Sequence, residues 1–248
     1  MFLCYYNNMK EKKVSVFKVI LTVLFAAAIF AGYFYVIFGK FTPEMKIQPE
    51  HIRYALVGAC FVFSLLFTRL SAKKIFITVA LAINVAADYF LILAPSDENK
   101  LVGLCVFCGV QFMYFLYTLY LNKSIGLKVI NMAVRVGLCL LAYFLVPNYF
   151  TVGTLEIVAM MYIINFAVSL VFFLFYIKTE WLLFLGFLLF FICDIFVGLT
   201  NGGMDILGIT GAAVDFLKTY DIAFYSYIPG LFFIASSSVW AKETNDKK

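Results

Sequence analysis

Eight apolar runs follow one another along this chain, at about 14–38, 54–70, 75–94, 101–121, 129–146, 155–177, 181–200 and 222–240. Crossing the hydrocarbon core of a bilayer takes roughly 20 apolar residues per helix. Inside that core each backbone N–H and C=O must find its partner within the structure, which a helix provides along its own length. The predicted fold is therefore all-α: a polytopic membrane helical bundle of about eight transmembrane helices. One transmembrane domain covers 14–240, with tails at 1–13 and 241–248. Composition agrees, since 65% of the residues are hydrophobic and 13% charged, against roughly 45–50% and 25% in soluble domains.

Short connections at 71–74, 95–100, 122–128 and 178–180 force neighbouring helices to run antiparallel. The longer segments 39–53 and 201–221 then fall on one side. The second of these holds Gly202, Gly203, Gly208 and Gly211 among apolar residues. It reads either as a segment that dips into the interface or caps a pocket, or as a solvated linker. With the N-terminus inside, twelve Lys and Arg fall on cytoplasmic segments. Only Lys40, Lys46, Arg53, Lys100 and Lys218 fall outside. Positive residues favour the cytoplasmic side, so the expected topology is a multi-pass protein of the cell membrane with both termini cytoplasmic.

The net charge of +5 sits at helix ends, where topology and anionic headgroups account for it, and nucleic acid is not an expected partner. Cys105 and Cys108 have CxxC spacing but lie within a helical run, so they read as small packing residues rather than a redox motif. The single histidine, His51, falls in a loop, which excludes a His-rich metal site; neither a metal nor a cofactor is expected.

Two aspartates break the apolar pattern: Asp88 in AINVAADYFLILA and Asp194 in LLFFICDIFVGLT. An ionisable side chain at the centre of a span costs about 2.5–3.5 kcal/mol on insertion scales, so such residues mark functional positions. Both lie about six residues, or ~9 Å, from the outer end of their helices at 1.5 Å per residue. At equal depth they can face each other across one polar pocket and share a proton, one acting as acid and the other as base. Asn84 precedes Asp88 by four residues and shares its face. Gln111 and Tyr114 lie near the middle of the fourth helix, and Tyr225, Ser226 and Tyr227 decorate the eighth, where Pro229 interrupts the backbone pattern. The plain alternative for each Asn or Gln is a hydrogen bond between helices. Arg135 enters from the cytoplasmic side, too far from the aspartates to pair with them, and is expected to snorkel to the inner headgroups.

At these residues the chain resembles the YhhN-like, lysoplasmalogenase family of membrane proteins, from the third helix onward. The segment around Ala87 and Asp88 is similar to that family's small-Asp motif. Gly103, Phe107, Gln111 and Tyr114 resemble its next helix, Cys193 and Asp194 its second small-Asp motif, and Tyr227 to Leu231 a tyrosine-led motif in the last helix. Two positions depart. Gln111 stands where the family usually has His, and Leu231 where a Gln is expected. Glutamine donates and accepts hydrogen bonds but does not shuttle a proton at neutral pH. The resemblance implies hydrolysis of the vinyl ether bond of a lysoplasmalogen, giving a fatty aldehyde and glycerophosphoethanolamine or glycerophosphocholine. Asp88 and Asp194 are then the catalytic acid and base, with Gln111, Tyr114, Asn84 and Tyr227 as substrate-binding residues. A membrane lysophospholipid is the expected partner. Two other functions fit the same pattern: a catalytically silent lipid-binding relative, and a proton-coupled transporter of a small molecule or lipid.

Overall fold

The computed structural model describes residues 2–39, 48–67, 72–149, 153–200 and 222–240. Among them are eight helices and no strand, in keeping with the all-α expectation. They are α1 (Phe2–Gly39), α2 (Pro49–Phe67), α3 (Ala72–Asp88), α4 (Asp97–Leu121), α5 (Ile125–Tyr149), α6 (Thr154–Phe175), α7 (Ile177–Gly198) and α8 (Ile222–Trp240). A single π-helical turn, Tyr89–Leu93, extends α3. The Gly-rich connection 201–221 and the tail 241–248 lie outside the described residues.

Six helices are long and apolar enough to cross a membrane: α1 over Val16–Gly39, α3 with its π turn, α4, α5, α6 and α7. The other two, α2 and α8, are 19 residues long each. Glu50, His51 and Arg53 occupy the first turns of α2, so His51 is helical rather than in a loop, because α2 begins at Pro49. Helix α8 carries Ser226, Ser236, Ser237, Ser238 and Pro229, yet it is the helix with the most continuous burial. A helix surrounded by other helices need not match lipid, and buried hydroxyls there bind neighbours. Ser64 on α2 shares a hydrogen bond with Thr78 on α3 (2.8 Å) and donates to Ser238 on α8 (2.9 Å).

Helix α8 organises the packing. It lies most intimately against α7 and also touches α1, α2 and α3. From there the contacts run α2 to α3, α3 to α4, α4 to α6 and α6 to α7, while α5 stands outside against α6. The α7–α8 crossing is set by two glycines. A Cβ on Gly186 would lie 2.8 Å from the Gly230 carbonyl oxygen and from the Ile234 nitrogen. Small residues at such a crossing let two backbones touch. Gly186→Ala is therefore expected to destabilise the bundle by about 1–3 kcal/mol through overpacking against a backbone that cannot yield. Gly58→Ala is the control, since a Cβ there meets nothing within 4 Å. A lowered thermal midpoint in detergent for the first variant alone is the expected result.

Pro229 does not break α8, which runs through it. Proline has no N–H, so the carbonyl four residues earlier loses its helical partner. That carbonyl belongs to Tyr225, and the Tyr33 hydroxyl of α1 donates to it at 3.2 Å.

A candidate carboxyl and tyrosine site

Asp88 is the last residue of α3, directly before the π turn, and is only 3% exposed. Single π turns inside helices are frequent at functional sites. One helical turn back, Asn84 Nδ2 donates to Asp88 Oδ2 at 3.1 Å, as its shared face predicts. The same nitrogen donates to the Tyr227 hydroxyl at 2.7 Å, and that hydroxyl in turn donates to Asp88 Oδ2. Asn84 and Tyr227, both expected at the site on sequence grounds, thus hold the first aspartate between α3 and α8.

Asp194, near the end of α7, has a matching partner. The Tyr162 hydroxyl of α6 donates to Asp194 Oδ2 at 2.5 Å. Unlike Asp88, Asp194 keeps part of its surface exposed. The two carboxyl groups are near enough to interact electrostatically. Rings join the two halves: Phe107 meets Tyr162 edge-on at 5.8 Å and lies 6.0 Å from Phe190, which in turn lies 5.2 Å from Tyr227. The close α7–α8 crossing brings Phe190 up to Tyr227.

Gln111 lies on α4 beside the Tyr162 hydroxyl and is 3% exposed, yet neither atom of its carboxamide completes a hydrogen bond. The Asn84 amide oxygen is also buried without a partner. The Tyr114 ring packs edge-on against Phe187 at 4.4 Å within the aromatic core. Leu231 is fully buried in the same core.

Tyr162 escaped the sequence reading. A tyrosine within an apolar helix looks like one more aromatic packing or interfacial residue, and with 16 tyrosines in the chain nothing local distinguishes this one. The useful signal would have been its placement eight residues into α6, away from the interfacial turn.

Arg135 corrects an expectation. Rather than snorkelling outward, it is 5% exposed and turned into the seam between α4, α5 and α6. Its Nε donates to Asn131 Oδ1 (2.8 Å), Nη1 to the Asn165 carbonyl (2.9 Å) and side chain (3.3 Å), and Nη2 to Ser169 Oγ (2.9 Å). Its guanidinium also lies 5.0 Å above the Phe115 ring. Four neighbouring acceptors and an aromatic face outcompete the headgroups because the side chain leaves α5 on the face that meets α6. Cys105 and Cys108 are free thiols on α4. Among the described residues, no three His, Cys, Asp or Glu side chains are grouped to hold a metal ion.

The fold and site together define a class: a helical membrane bundle with two buried or half-buried carboxyl groups, each receiving a tyrosine hydroxyl. No protein-family model matches the chain, and neither a curated protein nor a solved structure matches it.

Proposed function

We propose that this protein is a membrane hydrolase of the lysoplasmalogenase type, cleaving the vinyl ether bond of a single-tailed lysophospholipid. The observation that supports this most is the pair of intramembrane aspartates, Asp88 and Asp194, each receiving a tyrosine hydroxyl, with the Phe107 and Phe190 rings linking the two tyrosines. The resemblance of the surrounding motifs to the YhhN-like family supports it independently. Gln111 in place of the family's usual His shapes the mechanism, because all proton transfer then falls to the carboxyl groups.

Vinyl ether hydrolysis begins with protonation of the β-carbon. One carboxyl group gives its proton to that carbon, and the C=C electron pair forms the new C–H bond. The resulting oxocarbenium ion is stabilised by the other group as carboxylate, which also takes a proton from the attacking water. Addition gives a hemiacetal, whose collapse releases the aldehyde and leaves a hydroxyl on the glycerol. Net, one water is consumed. Tyr162 and Tyr227 each hold one oxygen of their aspartate, fixing its orientation and leaving the other oxygen for the reaction.

The test is to incubate the purified protein in detergent with a vinyl-ether lysolipid and to quantify released aldehyde, with the saturated-ether analogue as blank. Aldehyde from the vinyl ether alone is the expected result. Lysolipid binding without aldehyde would identify a silent lipid-binding protein. Proton-gradient-driven uptake into proteoliposomes without aldehyde would identify a transporter. The accompanying topology, in the cell membrane with both termini cytoplasmic, places the carboxyl groups in the outer half of the bilayer. A protease-sensitive tag after Lys248 should then be cut only in permeabilised cells.

A further inference from the structure

Two buried amides near the aspartates, Asn84 and Gln111, are incompletely paired. Tyr162 and Tyr227 give their protons to one oxygen of each carboxyl group. Among the described residues the Asn84 amide oxygen and the Gln111 amide oxygen are buried and accept nothing. Against these acceptors stands one unpaired donor group, the Gln111 NH2. Buried amides left unpaired are costly, by roughly 1–3 kcal/mol each. A hydroxyl, which donates and accepts at once, suits this set of unpaired groups.

We propose that Gln111, together with the unpaired oxygen of Asn84, is the subsite for an alcohol hydroxyl of the substrate, and that Gln111 determines specificity for lipids that carry a free hydroxyl next to the ether-bearing carbon. The proposal rests on the lysolipid reading above and adds to it the residue that reads the hydroxyl. A single-tailed glycerol ether has this group on the carbon adjacent to its ether carbon. An ether oxygen between the two carboxyl groups brings the hydroxyl alongside, where the carboxamide can donate to its oxygen and accept its hydrogen. Glutamine suits this role better than a titrating side chain, since it offers one donor and one acceptor at any pH. A second chain on that oxygen removes the donor and leaves a buried acceptor unpaired. Sites built to bind a hydroxyl reject analogues lacking it far more strongly than apolar pockets reject a missing methylene.

The test separates binding from turnover. Two saturated-ether lipids with the same tail and a choline headgroup are compared, one with a free 2-hydroxyl and one with that oxygen methylated. Neither is cleavable, and the quaternary headgroup contributes no N–H donor. Affinity for the full-length protein in detergent is measured by equilibrium binding. The expected result is at least a tenfold preference of the wild type for the free hydroxyl, falling to less than twofold in Gln111→Met, a side chain of similar length. Equal affinity of the wild type for both lipids would overturn the proposal while leaving the hydrolase reading to the aldehyde assay. So would an undiminished preference in a folded Gln111→Met. Failure to bind either lipid would overturn the proposal and the lysolipid reading together. The wild-type comparison stands even if the variant does not fold.

Discussion

Asp88→Asn and Asp194→Asn are each expected to lower aldehyde release from a vinyl-ether lysolipid by about 10²–10⁴-fold, the range a positioned acid or base contributes. Asparagine keeps the size of the side chain and an oxygen that can still accept the tyrosine hydroxyl, so both variants should remain folded with near-normal lipid affinity. What they lose is the capacity to give or take a proton. The loss should therefore appear in turnover rather than in binding. The tyrosines set a graded comparison. Tyr162→Phe and Tyr227→Phe remove one hydrogen bond to a carboxyl group, worth on the order of 1–3 kcal/mol, and should fall between wild type and the Asn variants. Full turnover by both Asn variants in folded protein would show that the carboxyl groups do not perform the chemistry.

The second large effect concerns stability. Arg135→Leu is expected to destabilise the bundle by about 3 kcal/mol, read as a lower thermal midpoint in detergent. The guanidinium serves Asn131, Asn165 and Ser169 at once, and Asn131 passes the connection on to Thr118 of α4 at 2.8 Å. Without it, two amide oxygens lose a donor inside the bundle, each at a cost of roughly 1–3 kcal/mol. Arg135→Lys should recover only part of the loss, since an ammonium cannot reach acceptors on three sides with a rigid fork. A Leu variant as stable as wild type would mean that removing the buried charge offsets the lost hydrogen bonds, as happens in some buried ionic clusters.

The helices were legible because a span must be long and apolar, and that requirement is written residue by residue. The Asn84–Asp88 contact was legible for a similar reason, since four residues make one helical turn. What the sequence withheld depends on helix rotation and on which helices are neighbours. Arg135 lies on a mostly lipid-facing helix, so snorkelling was the natural expectation. Only the packing of α5 against α6 shows that its face points inward. Tyr162 meets Asp194 across two helices, a pairing that no periodicity encodes. That α8 lies among the other helices, its serines bonded or buried inside the bundle, was likewise not written in its sequence. Gln111 was legible as a polar residue in a membrane segment. Its unpaired carboxamide became visible only with its neighbours in place.

The proline in α8 has one more consequence. Helix α1 presents Val16, Phe17, Ile20, Val23 and Phe38 to its surroundings and is among the least enclosed elements of the bundle. Its Tyr33 nevertheless grips the backbone of α8 at Tyr225, two residues from the hydroxyl-bearing Tyr227 that holds Asp88. A loosely packed outer element is thereby wired to the innermost one at its most deformable turn. Bilayer thickness or composition, which acts first on the periphery, has a direct mechanical route to the carboxyl group at the centre.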